Sequence, residues 1–355
     1  MKCEVLVIGG GPAGTLVATN LARSGKKVIQ LVSSEQSKGR PFEVLTPATR
    51  QLLRKNNLSE PEIMVSKCRG VLSVWEDSKP DFHDYEFATC VPGLSIDRNA
   101  FHHSLQNDAV ATGVYLVKIS RPGINKSIAR LGEYNYCEIE GGPAIIGPEL
   151  IIDASGRQSN FTDEHSQKKY FSNQVAFYIS HQVSNWTDYL LVEAVPEGWW
   201  YIPPSIEGRT QLVFLTDMDN IPVNHIERAK WLSHCYKESI IINKFAVVQP
   251  NFENAKGTDA RFFRQSVPVH HKRICVGDSA LALDPLSGSG TWAALAGAEQ
   301  LASLINKGGE ISTSYCEWYQ DFFEREHILY KETCLKALER FPNSEFWKRK
   351  LNKAV

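Results

Sequence analysis

The segment that most constrains the fold lies at the N-terminus. Val5-Leu6-Val7-Ile8 is a continuous apolar run, and Gly9-Gly10-Gly11-Pro12-Ala13-Gly14 follows at once. An unbroken apolar strand suits a parallel sheet covered on both faces. The glycines at 9, 11 and 14 are spaced as GxGxxG. The first makes a tight turn and the second lets backbone approach a pyrophosphate. The third lets a helix pack on the strand, with its N-terminus toward the negative charge. A helix is predicted over 15–24 and a second strand over 28–32, with Gly25 as the helix stop. This β-turn-α-β opening is of the Rossmann type. It assigns Gly9, Gly11, Pro12, Ala13 and Gly14 to a dinucleotide. Eighteen residues past Gly14 (14 + 18 = 32) stands Val32, where such folds carry an acid for the adenosine ribose. The contact then falls to Ser33, Ser34 or Glu35, and loose cofactor retention is expected.

The rest of the chain divides by its hydrophobic period. A helix is predicted over 97–111, strands over 115–119 and 150–153, and a hairpin over 127–140. From 170 to 216 the period becomes two, with Val175, Phe177 and Ile179 alternating. Strands are expected over 189–195, 199–203 and 211–216, in an antiparallel sheet. Arg273-Ile274-Cys275-Val276 returns to the buried-strand pattern, and the chain after Gly290 reads as helical. The expected class is α/β: a Rossmann-type FAD-binding domain with an inserted antiparallel β-sheet substrate domain and C-terminal helices. The expected boundaries are 1–75, 97–165 and 262–310 for the first domain, 76–96 and 166–261 for the second, and 311–355 for a helical segment.

With 355 residues the chain is long enough for two cores. Lys plus Arg is 39 and Asp plus Glu is 40, a net charge of −1, which argues against a bulk electrostatic nucleic-acid partner. Mean hydropathy is −0.27, and no apolar run is long enough to span a bilayer. The eight cysteines form no CxxC pair and no zinc spacing. Scattered thiols predict a cytoplasmic protein without a metal site.

A second fingerprint decides the cofactor. The strand at 273–276 ends in Gly277-Asp278, and Asp284-Pro285-Leu286-Ser287-Gly288-Ser289-Gly290 opens an apolar helix. This pair of loops resembles the FAD fingerprints of the flavin monooxygenase superfamily, the fold of p-hydroxybenzoate hydroxylase and the tryptophan halogenases. The resemblance implies FAD, with Gly277 and Asp278 at the ribityl chain. It places Pro285, Gly288, Ser289 and Gly290 at the flavin pyrimidine, where a helix N-terminus stabilises negative charge. Asp153-Ala154-Ser155-Gly156-Arg157 resembles the family's Asp-Gly element beside the cofactor. Asp97-Arg98 resembles its Asp-Arg pair, so Arg98 is expected near FAD. Trp200, Ile202 and Pro203 match the halogenases' Trp-x-Trp-x-Ile-Pro signature. Gly198 replaces its first tryptophan, Ser287 stands at the halogenase glutamate, and the active-site lysine has no secure match. On a strand Trp199 and Tyr201 share one face and Trp200 takes the other. Glu43, Trp199, Trp200 and Tyr201 are the candidate substrate-pocket residues.

Glu43-Val44-Leu45-Thr46-Pro47, the 68–75 stretch ending in Trp75, Asp284–Gly288 and Phe346-Trp347-Lys348-Arg349 narrow the resemblance. Together they are similar to small bacterial flavoproteins that build cysteine tryptophylquinone in glycine and lysine oxidases. That implies an FAD-dependent monooxygenase hydroxylating a tryptophan of a partner oxidase precursor. The alternatives are a small-molecule hydroxylase, a halogenase or a prenyl reductase of the same fold, or a flavin-bearing chaperone. The electron donor is NAD(P)H or a separate reductase. No catalytic residue is assigned, and His102, His103, His270 and His271 are candidates by type only.

Overall fold

The computed structural model describes residues 1–34, 42–120, 136–137, 145–146, 148–159, 167–183, 187–245, 250–308 and 310–352. Its first sheet has six strands, in the order Val269–His270, Arg273–Cys275, Leu150–Asp153, Val5–Ile8, Val28–Ser33 and Tyr115–Ile119. All but the first pair in parallel. The four residues of Val5–Ile8 are all buried, as an all-apolar strand at the centre of a parallel sheet requires. Helix Pro12–Arg23 begins with proline, whose missing N–H costs nothing in a first turn. It packs against helices Gly290–Lys307 and Arg98–Ala111. Most of the predicted hairpin over 127–140 lies outside the described residues; Tyr136–Cys137 pairs antiparallel with Ile145–Ile146.

The second sheet has seven strands: Lys256–Asp259, Gln174–Gln182, Arg209–Asp217, Gly198–Ile202, Tyr189–Val195, Gly70–Val74 and Asp81–Asp84. It differs from the sequence reading in being mixed, because Gly70–Val74 runs parallel to Tyr189–Val195. Gly70–Val74 therefore pairs in this sheet and not in the first one. Local pattern cannot tell which sheet a short strand joins, since pairing is set by partners over 100 residues away. A small sheet of Glu43–Leu45, Gly93–Ile96 and Val65–Cys68 links the two large ones.

The alternation along these strands gives the second sheet two apolar faces. Phe177, Ile179, Trp200 and Phe214 form the outer face, with Leu232, Cys235 and Tyr236 of helix His225–Lys237 against it. Ala176, Val192, Ala194, Trp199, Val213 and Leu215 form the inner face. Over part of it lie Tyr330, Cys334 and Ala337 of the long helix Ile311–Arg340, and Phe346 and Trp347 of the final helix Glu345–Asn352. Each large side chain so buried contributes about 1.5–3 kcal/mol. Trp347 is 1% exposed, and its indole N–H donates to the Val195 carbonyl at 3.0 Å.

Candidate functional site

The carboxyl ends of three parallel strands bring three loops together, the position at which open α/β sheets bind ligands. Val5–Ile8 delivers Gly9–Gly14, Leu150–Asp153 delivers 154–157, and Arg273–Cys275 delivers Gly277-Asp278. Gly9 has φ +120°, and a Cβ there would stand 2.1 Å from the Ala154 carbonyl oxygen. A Cβ on Gly14 would stand 2.3 Å from the Gly9 oxygen, so this glycine lets helix meet strand. Gly11 is different: its nearest neighbour would be His102 Cε1 at 4.0 Å. Gly290, first residue of its helix, faces open space likewise. Two crowded glycines hold the first loop's shape, while Gly11 and Gly290 leave room beside helix N-termini. That arrangement fits a dinucleotide.

Val32 is 1% exposed and packs beneath Gly10, whose added Cβ would lie 2.6 Å from Val32 Cγ1. The usual acid position is thus filled by an apolar side chain under the glycine loop. Ser33, the last residue of its strand, is half-buried; Glu35 lies outside the described residues.

A charged cluster stands beside these loops. Glu43 Oε2 lies 3.0 Å from Arg98 Nε, and its other oxygen accepts from the Thr291 hydroxyl. The Glu43 charge chiefly, helped by Asp278 and Tyr201 and opposed by burial, holds the Arg98 guanidinium above its ordinary pKa. Arg157 Nε lies 3.4 Å from Asp278 Oδ2, while its terminal nitrogens donate to the Arg261 and Leu283 carbonyls. Asp97 caps its helix by accepting from the N–H of Asn99 and Ala100 at 2.9 and 3.0 Å. The cap aims Arg98 at Glu43. Asp153 is buried; its Oδ1 accepts from the Ser155 N–H and hydroxyl, and its Oδ2 from Ser159. Burial pushes its carboxyl up, and these hydrogen bonds oppose the shift.

Past the second fingerprint, Pro285–Ser287 forms a single turn capped by Asp284, and Gly288 takes φ +62°. The Ser289 hydroxyl donates to Glu326 at 2.5 Å, tying this turn to the long C-terminal helix. Leu286 packs on the inner face of the second sheet.

Sheet register orders that inner face in rows. Gln182 stands opposite Arg209 and Ser180 opposite Gln211. The next row is Tyr178, Val213 and Tyr201, followed by Ala176, Leu215 and Trp199, then Gln174 and Asp217. Successive rows on one face are roughly 7 Å apart. Tyr201 faces Arg98 and Glu43, and burial pushes its phenol up. Trp199 has Trp75 at 6.3 Å and Tyr201 at 5.8 Å between ring centroids. At one end of the face a pocket of about 340 Å³ opens, lined by Ser180, Gln182, Gln211, Asp97, Asn99 and Phe42 among others. At the other end Lys350 is 5% exposed, with its ammonium 2.7 Å from Gln174 Oε1 and 3.0 Å from Asp217 Oδ1. Asp284 lies in the same field; burial pushes its carboxyl up, and its Oδ2 is buried with no hydrogen-bond partner.

The structure thus gathers Glu43, Arg98, Asp278 and Tyr201. It does not gather Trp200 with them. Trp200 is fully buried on the outer face, 4.5 Å from the Phe214 ring, and its N–H donates to the Cys235 carbonyl. The period of two places it there, on the face opposite Trp199 and Tyr201. Of the histidines named by type, His102 lies by Gly11, and His270 and His271 end an edge strand and its turn. The histidine that sequence reasoning missed is His327. Both its ring nitrogens are buried and unpartnered, and burial pushes its pKa down. Its ring stacks between Phe323 and Tyr330. The 4-3-4-3 spacing of Phe323, His327, Tyr330, Cys334 and Ala337 carried that signal.

No protein-family model matches the chain. A protein of Marinomonas mediterranea described as the FAD-dependent oxidoreductase LodB is 24% identical, over 98% of this chain and 96% of that one. Digeranylgeranylglycerophospholipid reductase of Thermoplasma acidophilum is 21% identical, over 92% and 85%. Among solved structures, QhpG, described as a peptidyl tryptophan dihydroxylase essential for tryptophylquinone cofactor biogenesis, superposes with TM-score 0.78 at 19% identity. It covers 99% of this chain and 79% of its own. The flavin-dependent halogenase CmlS gives 0.82 at 18%, covering all of this chain and 68% of its own. The chain has the fold of the FAD-dependent oxidoreductases and halogenases. LodB, matched over nearly the whole of both chains, is described as FAD-dependent and CmlS as flavin-dependent, and FAD, read from the two glycine loops, is the cofactor. Among the described residues no helix is long and apolar enough to cross a membrane.

Proposed function

We propose that this flavin-fold chain is an FAD-dependent monooxygenase that hydroxylates a tryptophan side chain of a partner oxidase precursor, during biosynthesis of that partner's cysteine tryptophylquinone. The observation that carries the reading is the pocket at Ser180 and Gln211. It is open, lined by both polar and apolar side chains, and one row from Tyr201 with its Arg98 and Glu43 neighbours. Its volume lies at the low end of the roughly 300–1,000 Å³ of small-molecule sites, enough for one aromatic side chain entering from outside. A sealed apolar pocket would suit a prenyl chain instead.

FAD, once bound and reduced, would supply two electrons to O2, of which one oxygen atom goes to the substrate and the other leaves as water; the protein supplies position and exclusion of bulk water. Gly9–Gly14 and the Pro12–Arg23 helix hold the pyrophosphate, Ser33 faces the adenosine ribose, and Asp278 holds ribityl hydroxyls. Gly288, Ser289 and Gly290, with Pro285 fixing the turn, present N–H groups to the flavin pyrimidine. Arg98, kept charged by Glu43, holds a positive charge beside the ring. Trp199 and Tyr201 form an aromatic wall for an indole, and Trp347 and the long helix keep water from it. The electron donor is NAD(P)H or a separate reductase, and the site of action is the cytoplasm. The match to LodB over nearly the whole of both chains supports FAD-dependent oxidation, and the structural likeness to QhpG, named as a peptidyl tryptophan dihydroxylase, supports a tryptophan target. Ser287 in place of the halogenase glutamate supports this reading over halogenation.

The test is to load the protein with FAD, reduce it, and admit O2 with an unmodified quinoprotein oxidase precursor. The expected result is a precursor heavier by one or two oxygen atoms, mapped to a single tryptophan. An unchanged precursor, with chloride or bromide instead incorporated into free indoles, would reject the reading.

A further inference from the structure

Among the described residues two neighbouring strands of the seven-stranded sheet are half-paired: Arg209–Asp217, which Gly198–Ile202 matches only at 213–215 and whose free end begins with Arg209, and the strand beside it. Gln174–Gln182 is matched along its whole length by Arg209–Asp217 on one side. On its other side Lys256–Asp259 pairs only with Val175 to Tyr178. Among the described residues, 179–182 therefore have a strand neighbour on one side only. This stretch borders the open pocket, which Ser180, His181 and Gln182 line. Exposed edges invite pairing with another chain, and proteins commonly guard them with charge, proline or bulges. The two outermost strands of this sheet are guarded so: Asp81–Asp84 carries an aspartate at each end, and Lys256–Asp259 carries Lys256 and Asp259. The sequence over 179–182 is Ile-Ser-His-Gln, with no Lys, Arg, Asp, Glu or Pro. Ser180 and Gln182 are exposed, and the buried His181 Nε2 has no hydrogen-bond partner among the described residues.

We infer that this edge is the docking site for an extended polypeptide, which adds as a strand beside residues 179–182 and points one aromatic side chain into the pocket. The inference rests on the polypeptide-substrate reading above and names how that substrate is held. Strand addition gives affinity through main-chain hydrogen bonds, and pockets for alternate side chains give selectivity. It suits an enzyme whose target side chain is carried on a chain too large to enter. Ser180 and Gln182 face the pocket side by strand parity, so the added strand's inward side chain lies toward the row of Tyr178 and Tyr201. The neutral edge sets no charge requirement on the partner, in keeping with the chain's net charge of −1.

The test uses the full-length, FAD-loaded protein and a capped, labelled peptide of about nine residues, an ordinary strand length. The peptide alternates threonine and valine around one central tryptophan. Two further versions carry N-methyl groups on alternate amides, one on each edge of the peptide strand. Fluorescence anisotropy should show binding of the parent and a loss of about tenfold or more for one methylated version only, since a strand pairs through one edge. Equal affinity of both methylated versions would overturn the inference. So would binding of N-acetyltryptophanamide as tight as the peptide's, or a protein dimer in sedimentation that the peptide does not dissociate. Edge-specific binding without oxygen gained by the peptide leaves the docking site and rejects hydroxylation. Oxygen gained by N-acetyltryptophanamide at the peptide's KM leaves the flavin chemistry and rejects the docking site.

Discussion

The two ends of one sheet face are built on opposite principles. At Ser180 and Gln182 the face is polar, exposed and open, and among the described residues the neighbouring edge is unguarded. Three rows beyond Ser180, at Gln174 and Asp217, the side chains are as polar but buried under Lys350 and the C-terminal helices. Between the ends lies the aromatic wall of Tyr201 and Trp199. The contrast shows where each kind of polar group serves. An exposed polar row keeps its hydrogen bonds for a ligand. A buried one must satisfy itself, because an unpaired charge in the interior costs several kcal/mol.

The largest effect expected from breaking this contrast is at the closed end. Lys350→Met removes the ammonium from between Asp217 and Gln174 and should cost about 3–5 kcal/mol in denaturant unfolding. A loss under 1 kcal/mol would mean that the closed end does not depend on its ion pair.

Asp284→Asn is a smaller, pH-dependent change. Burial raises this carboxyl above the ordinary aspartate value, against Lys350, the Leu286 N–H and Arg157, and Asp217 adds to the rise. Tyr330 and Cys334 also lie in its field. A carboxyl with a folded pKa above its unfolded one contributes fully below the unfolded pKa, near 3.9, and loses that contribution as pH rises through the folded value. The asparagine variant should therefore gain on the parent as pH rises above about 4. Unfolding curves at pH 4 and pH 8 check the sign; a difference independent of pH would show that Asp284 does not titrate on folding.

The smallest stability effect belongs to the open end. Gln182→Ala should change stability by less than about 0.5 kcal/mol, as at an ordinary surface site. It should raise KM for a peptide substrate by about threefold, one weak hydrogen bond, with kcat unchanged. A fall in kcat with KM unchanged would place Gln182 in the chemistry instead.

Much of the dinucleotide region was legible in the residues. Gly9, Gly14 and Gly277 are needed for local reasons, a positive φ or a close approach, and such needs leave a short motif. Strands Tyr115–Ile119 and Leu150–Asp153 fall where their apolar pattern puts them. The opposite facing of Trp199 and Trp200 followed from parity alone. What parity could not say was which of the two faces meets Arg98 and Glu43. Which sheet the Gly70–Val74 strand joins was illegible for the same kind of reason. Lys350 and Asp217 left no motif, since their pairing joins a terminal helix to a strand end 133 positions earlier (350 − 217 = 133).

The sequence by itself determined the glycine loops, the FAD expectation and the periods of helix and strand, because these depend on neighbours a few residues apart. Only the tertiary structure decided that Glu43, Arg98, Tyr201 and Asp278 meet, that one end of the inner face is open and the other closed, and that residues 179–182 have a strand on one side alone among the described residues. Those properties depend on which distant segments share a surface, and a chain read in one dimension carries no distance between them.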